Sequence, residues 1–157
     1  MSGLMRAHSM IARDLEVNVH RPAGTTFAAF RMMFLLRTNG PMAPREIAEL
    51  LHVAPSSISA VVKTLERYRL VTRSRLSKDG RVVTVALTKH GLEVVTELAR
   101  RNNQREIEWA EPLSQNERKT LVRLLNKIVE QHPGPPDSVG GRLISGARSG
   151  TRVGLAA

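Results

Sequence analysis

Apolar residues recur at helical spacing along most of the chain, and they alternate with polar ones in one short stretch. The strongest helical stripe lies in the segment 55–68, with apolar residues at positions i, i+3, i+4, i+7 and i+10. Its members are Ile58, Val61, Val62, Leu65 and Tyr68. Further along, Val83, Val85 and Leu87 alternate with smaller or polar residues, as in a strand with one buried face. The pattern predicts a mainly α fold with a small β-hairpin.

Prolines and capping residues divide this pattern into elements. Pro44 and Pro55 suit the first turns of two helices joined by a short connection. Thr88 is a predicted N-cap, and Ser114 with Glu117 forms a capping box that opens the last helix. The predicted helices are about 4–18, 25–37, 44–51, 55–68, 89–109 and 115–132, and the predicted strands are 71–76 and 81–87.

A short helix, a tight turn, a second helix and a hairpin form the winged helix-turn-helix arrangement. The major groove of DNA admits one α-helix, whose apolar back must be held while its polar face meets base edges. The residues opposite the apolar stripe of the second helix are small, hydroxylic or cationic. They are Ser56, Ser57, Ala60, Lys63, Thr64 and Arg67. This face predicts a contact with double-stranded DNA, and an ordinary surface helix of a basic protein is the alternative.

The hairpin places a second group of cations beside that helix. Arg73 and Arg75 lie on one side of the first strand, and Lys78 and Arg81 lie at the turn. Arginine at such a tip can enter the minor groove, where negative potential is concentrated. We expect Asp79 to brace the turn rather than contact DNA. For a turn of this kind in isolation, a solvated charged loop is the alternative.

The charge of the whole chain agrees with a polyanionic partner. The formal net charge is +10 and the pI about 11.3, which favours nucleic acid or an anionic membrane surface. The segment between positions 61 and 81 contains seven Lys or Arg and only two Asp or Glu. Aromatic residues make up 3% of the chain, which disfavours the stacking platforms of single-strand binders. No apolar run approaches the ~18 residues of a membrane span, so no membrane contact of that kind is expected.

The composition also argues against several other functions. The chain contains no cysteine, so disulfides and thiolate chemistry are absent. Its five histidines are widely separated, and we expect no metal or other cofactor. No G-x-S-x-G motif or phosphate-binding glycine loop is present, so no enzyme activity is expected. The N-terminus does not resemble a secretory signal, and we expect a cytoplasmic protein.

Residues from about 26 to 91 resemble the MarR family of bacterial transcriptional regulators. The resemblance rests on PREIAELLHVAPSSISAVVKTLERYRLVTRS and on DGRVVTVALT followed by KHG. It implies an intertwined homodimer whose recognition helices enter the major groove and whose wings reach the flanking minor grooves. By the same resemblance, Lys63 and the serines at the start of the recognition helix lie near bases. Arg73 and Arg75 contact phosphates, and Arg81 enters the minor groove.

Helix order and resemblance together predict how the chain is organised. Residues 1–132 form one domain, with dimerisation helices at 1–22 and 110–132, a winged-helix core at 25–91 and a long connecting helix at 88–109. The segment 133–157 is rich in Gly and Ser without periodicity, and it is predicted to be a flexible tail.

Two positions depart from the family pattern. Arg69 stands where a glycine usually follows the recognition helix, and a left-handed conformation there costs a non-glycine residue ~1 kcal/mol. Either Arg69 tolerates that cost by gaining a phosphate contact, or the local turn differs. Ala54 stands where serine is a common N-cap, which weakens capping by up to ~1 kcal/mol.

The terminal helices have uneven apolar patterns that cannot close a core alone. We expect them to bury residues against a second copy of the chain, and packing within the subunit is the alternative. The candidate dimerisation residues are Leu4, Ile11, Leu121, Leu124, Leu125 and Ile128. A two-fold dimer predicts a pseudo-palindromic site whose half-sites lie about one helical turn, ~10 bp, apart.

Many relatives bind an aromatic acid or another apolar ligand between the dimer region and the DNA-binding lobe. The resemblance would place such an effector near His8, Phe30, Phe34 and His90, and ordinary core or surface positions are the alternative. The sequence therefore predicts a dimeric, sequence-specific DNA-binding regulator that acts as a repressor, with a small effector as a further possibility. A winged-helix module that binds an acidic protein is the alternative.

Overall fold

The computed structural model describes residues 2–75 and 83–131, and these form a mainly helical fold with one antiparallel hairpin. The mainly α prediction is confirmed. A π-helical turn, Glu16–His20, and a 3₁₀ turn, Arg21–Ala23, follow the first helix. The elements are α1 Gly3–Leu15, α2 Phe27–Asn39, α3 Pro44–Leu51, α4 Pro55–Arg67, β1 Val71–Arg75, β2 Val83–Leu87, α5 Lys89–Ala110 and α6 Gln115–Gln131.

The predicted helix starts are formed by the side chains that the sequence offers. Thr88 Oγ1 accepts from the Gly91 amide at 2.9 Å and opens α5. At the start of α6, the Ser114 amide donates to Glu117 Oε2 at 2.8 Å, and the Glu117 amide donates to Ser114 Oγ at 3.4 Å. This reciprocal pair confirms the capping box. Ala54 makes no side-chain cap to α4, as its methyl group requires.

The core lies where α2 crosses α5 and meets the helix-turn-helix. Met32 and Met33 of α2 are fully buried, as are Ile47 of α3 and Val62 of α4. Val95 and Leu98 bring α5 into the same cluster. Burying each large apolar side chain contributes about 1.5–3 kcal/mol. This shared core sets the direction in which α4 faces outward.

The hairpin is attached to the core through its second strand. Arg73 pairs with Val85 in the middle of the ladder, and Val85 is fully buried. Met42 extends the sheet, because its amide donates to Val85 O at 3.0 Å and its carbonyl accepts from the Val85 amide at 2.8 Å. The predicted strands are confirmed over 71–75 and 83–87, and the predicted turn lies outside the described residues.

One residue of the predicted apolar stripe and one apolar residue of α5 are exposed. Tyr68 is 55% exposed because it caps α4 after Arg67 instead of extending the apolar stripe. Leu92 is 46% exposed because the buried face of α5 runs through Gly91, Val95 and Leu98. At Gly91 an added Cβ would lie 1.9 Å from the Leu70 carbonyl oxygen, so the start of α5 touches the backbone that follows α4.

The first helix is fastened to the outer half of α5 by an ion pair. Arg105 donates to both carboxylate oxygens of Asp14, at 2.6 and 2.8 Å, and Trp109 Nε1 donates to Asp14 Oδ2 at 2.9 Å. These hydrogen bonds hold the pKa of Asp14 well below its usual range. Among the described residues, no helix is long and apolar enough to cross a membrane.

Candidate nucleic-acid interface

Only one side of α4 packs against the rest of the subunit. Ile58, Val62 and Leu65 are buried against the core, and they lie at the i, i+4 and i+7 positions that define one helix face. All six residues predicted to face DNA are exposed. They are Ser56, Ser57, Ala60, Lys63, Thr64 and Arg67. The helix therefore has the construction that a major-groove element needs.

The six exposed residues do not occupy equivalent places on α4. Ser56, Ala60, Lys63 and Arg67 follow one another along the outermost line, at spacings of three or four residues. Ser57 and Thr64 lie at an edge, where both border grooves shared with α2. The Thr64 hydroxyl donates to the Ala60 carbonyl at 3.1 Å, and this bond occupies its proton.

The structure places Arg73 beside an acid of the same surface. Arg73 Nε lies 3.1 Å from Glu66 Oε2, and the two side chains are 42% and 34% exposed. Sequence reasoning named Arg73 as a phosphate contact and did not include Glu66 in the site. Arg75 ends β1. The predicted contacts of Lys78 and Arg81, and the predicted bracing by Asp79, lie outside the described residues.

The turn between α4 and β1 keeps the left-handed conformation despite its arginine. Arg69 has φ 57°. Its amide donates to the Glu66 carbonyl at 2.9 Å, and its carbonyl accepts from Thr88 Oγ1 at 2.7 Å. The expectation that the local turn differs is wrong. Arg69 adopts the left-handed conformation and bears its strain. His52, at φ 54° between α3 and α4, is a second such residue that the sequence pattern did not reveal.

The sequence and the fold were compared with known proteins. The sequence model described as "MarR family" matches residues 26–83. The chain is 28% identical over 129 residues to the uncharacterized HTH-type transcriptional regulator YwaE of Bacillus subtilis, covering 82% of this chain and 75% of YwaE. It is 27% identical over 126 residues to the HTH-type transcriptional regulator MgrA of Staphylococcus aureus, covering 80% and 84%. The chain is therefore similar to the MarR family over residues 26–83, and to HTH-type transcriptional regulators over most of its length.

Solved structures of this family have the same fold. MarR from E. coli in its apo form matches with a TM-score of 0.73 at 24% identity, covering 80% of this chain and 93% of MarR. NadR in complex with 4-hydroxyphenylacetate matches with a TM-score of 0.66 at 25% identity, covering 80% and 89%. The chain thus has the winged helix-turn-helix fold of these structures, and α4 is the second helix of its helix-turn-helix.

The terminal helices of this chain leave an apolar surface exposed. Leu4 on α1 is exposed and Ile11 is half-buried. No residue of α6 is buried, although this helix is fully described. Its exposed apolar side chains are Leu121, Val122, Leu124, Leu125, Ile128 and Val129. Within the described residues, α6 thus adds no buried side chain to the core of its own subunit.

A cavity of about 540 Å³ lies beside the contact of α2 with α5. Phe27, Phe30 and Phe34 line its α2 side, and Asn102 and Glu106 line its α5 side. The rings of Phe30 and Phe34 lie 5.7 Å apart, centroid to centroid. The four residues predicted to form an effector site are not brought together, because His8 is exposed on α1 and His90 borders a separate groove beside Tyr68. Only the two phenylalanines line the cavity.

A buried histidine that sequence reasoning missed lies behind the cavity wall. His20 is fully buried and stacks on Phe30 at 4.8 Å between ring centroids. Asn102 Nδ2 donates to Glu106 Oε1 at 2.6 Å, so its Oδ1 accepts from His20 Nε2 at 3.3 Å. Burial lowers the pKa of His20 from its ordinary 6.5, against the opposing effect of Asn102. The π-helical turn turns both Val19 and His20 inward, and a simple helical pattern does not reveal this.

Proposed function

We propose that the protein is a homodimeric repressor that binds a pseudo-palindromic operator in double-stranded DNA. The observation that carries the proposal is the two-sided construction of α4, whose apolar back is locked in the core while its hydroxylic and cationic face is exposed. Such a helix can lie in the major groove without rearrangement. A repressor of this kind acts by occupying DNA in the cytoplasm and needs no catalytic activity.

The exposed line of α4 provides the contacts to bases. Ser56 and Ala60 are small enough to let the helix approach the groove, and Lys63 can donate to guanine O6 and N7. Arg67 at the end of the same line is suited to a phosphate. We retain the predicted phosphate contacts of Arg73 and Arg75. The predicted roles of Lys78 and Arg81, with Asp79 as the brace, also belong to this proposal.

A second copy of the chain explains the exposed apolar surface of α1 and α6. Leu121, Leu124 and Leu125 lie on one helix that contributes nothing to the core of its own subunit. Most of the stability of a helix in a protein comes from packing of its apolar face, so we expect burial of this face to stabilise α6. Intertwined terminal helices bury these side chains together with Leu4 and Ile11. The same two-fold axis sets two recognition helices about one turn of DNA apart.

A selection from random DNA tests the proposal directly. The purified protein is incubated with a library of duplexes that contain a random central segment, and bound sequences are enriched over several rounds. We expect an inverted repeat with half-site centres ~10 bp apart. Light scattering should give the mass of two chains for the free protein and of two chains on one selected duplex. Failure to enrich any duplex would contradict the proposal and favour the acidic-protein partner instead.

We propose further that the cavity beside the contact of α2 with α5 binds a small aromatic effector. Its three phenylalanine rings supply an apolar wall, and Asn102, Glu106 and Arg31 supply polar groups at its borders. NadR was solved with 4-hydroxyphenylacetate, and DNA binding by BpsR of Bordetella bronchiseptica is regulated by 6-hydroxynicotinic acid. These two compounds are therefore suitable first probes.

The effector proposal is tested by melting temperature and by displacement from DNA. A compound that binds the cavity should raise the melting temperature of the wild type and release the selected duplex. Phe30→Ala removes a ring from the cavity wall and should abolish both effects. Leu92→Ala removes an exposed apolar side chain of α5 outside the cavity lining, and this variant should retain both effects. Equal responses of the two variants would exclude this cavity as the site.

A further inference from the structure

One acid interrupts the cationic segment that carries the DNA-facing helix. Glu66 is the only Asp or Glu in the sequence between positions 52 and 75. An acid beside a polyanion is repelled, so its presence on this surface calls for a compensating function. Its carboxylate lies 3.1 Å from Arg73 Nε. We propose that Glu66 is a positioning residue that holds the Arg73 guanidinium ready for a phosphate of the DNA backbone.

The ion pair links the two elements that must act together on DNA. Glu66 lies in the last turn of α4, and Arg73 lies in the middle of β1, paired with Val85 of β2. The strand is held by further contacts, because the hydroxyls of Ser74 and Thr84 lie 3.1 Å apart. The pair therefore spans from the recognition helix to the base of the wing.

The geometry of arginine allows one side chain to serve both partners. Glu66 is met by Nε, at the base of the guanidinium, and the two terminal amino groups lie beyond it. The Arg73 side chain is 42% exposed, so the ion pair with Glu66 does not remove it from the surface. A free arginine loses rotamer entropy when it binds, and fixing it beforehand lowers that cost. In lysine all three N–H donors lie on one nitrogen, so a carboxylate and a phosphate would have to meet at a single point.

The positioning role and simple charge repulsion predict opposite changes in DNA affinity when Glu66 is neutralised. This inference rests on the proposed function, since it presupposes a DNA phosphate. If Glu66 only repels DNA, its neutralisation strengthens binding to every duplex. If it positions Arg73, its neutralisation weakens binding to the specific duplex although the protein gains one positive charge.

The test compares variants by fluorescence anisotropy on two labelled duplexes. One is the duplex returned by the selection, and the other is a shuffled duplex of the same composition. For Glu66→Gln we expect a loss of about two- to fivefold on the selected duplex, which is the range measured for exposed ion pairs. We expect a loss of similar size on the shuffled duplex, because a phosphate contact carries no sequence information. Glu66→Asp keeps the charge but is one methylene shorter, and it should lose a similar factor on the selected duplex.

Two control variants separate positioning from charge. Glu97→Gln removes a carboxylate that is paired with Arg100 and Arg101 on α5, and it should cause no loss on either duplex. In an Arg73→Gln background, Glu66→Gln should cause no further loss, because its target is gone. Without DNA, the Nε–H NMR signal of Arg73 should shift in Glu66→Gln and remain in place in Glu97→Gln.

Two results would overturn the positioning role while leaving the proposed function intact. One is an affinity of Glu66→Gln for the selected duplex that equals or exceeds that of the wild type. The other is an equal loss with and without the Arg73 guanidinium. A wild type that enriches no duplex at all would instead overturn the proposed function, and the two failures are therefore distinguishable.

Discussion

The winged-helix core and the terminal helices use the same apolar residue types in opposite ways. In α4, Leu65 is buried within its own subunit, and the polar face is left for a partner. In α6, Leu121 and its neighbours are exposed, and the apolar face is left for a partner. The core is thus complete in one chain, and the terminal helices are not. A polyanion suits the first surface and a second copy of the chain suits the second.

The largest difference between the two surfaces should appear in their response to salt. If a dimer contacts ~6–10 phosphates, raising the salt concentration from about 50 to about 200 mM weakens DNA binding about 10³–10⁵-fold. Dimerisation by apolar burial should change little over the same range. Anisotropy titrations and sedimentation at matched salt measure the two effects. A parallel weakening of both would show that the terminal helices associate by charge.

One substitution applied to both surfaces should have different consequences. Leu65→Ala should lower the free energy of unfolding by about 2–5 kcal/mol, because it leaves a cavity in the core. Leu121→Ala should raise the dimer dissociation constant about fivefold or more, since it truncates an interface side chain. Denaturant unfolding at several protein concentrations separates them. A Leu121→Ala variant with a wild-type dissociation constant would remove this residue from the interface.

Acid should loosen the junction between the two regions through His20. The unfolded histidine takes up a proton near its ordinary pKa of 6.5, and burial lowers the pKa in the folded protein. Stability therefore falls as the pH drops below 6.5 towards the lowered folded value, by at most about 1.4 kcal/mol per pH unit.

Two histidine variants isolate this effect in unfolding experiments between pH 7.5 and about 5. His20→Gln should have a flatter dependence of stability on pH than the wild type. His8→Gln, at an exposed position of α1, is the matched control and should retain the wild-type slope. If His20→Gln keeps the full slope, the proton is taken up elsewhere.

The smallest effect is expected at the turn after α4. Arg69 has a left-handed backbone with φ 57°, which strains a non-glycine residue. Replacing it by glycine relieves this strain and should raise the free energy of unfolding by about 0.5–1 kcal/mol. Arg69→Lys keeps both charge and strain, and its stability should be unchanged. DNA titrations of the same pair show whether Arg69 also contacts a phosphate, which would appear as a loss of affinity for Arg69→Gly alone.

Much of the core was predictable because local sequence specifies it. Proline at the first turn, threonine and serine at the caps and the 3.6-residue stripe of α4 act over a few residues, and the structure places these elements accordingly. The errors occur where a helix ends earlier than its apolar stripe or where partners are distant in sequence. Tyr68 is exposed because α4 ends at Arg67 and Tyr68 begins the turn that leads to β1.

The candidate site was predictable only in part for the same reason. The exposed face of α4 follows from helical spacing, whereas the partner of Arg73 depends on how β1 lies against α4. His20 had no sequence signal, since an inserted π turn places it in the core opposite Asn102, 82 residues away. The grouping of His8 and His90 with the two phenylalanines followed family helix order, and the described residues place them on separate surfaces.

The close contact at Gly91 limits how α5 can move relative to the chain that follows α4. Not even a methyl group fits between the first turn of α5 and the Leu70 carbonyl. A tilt of α5 towards this contact must therefore displace the backbone at Leu70. Gly91 therefore couples the position of α5 to the backbone that leads from α4 into β1.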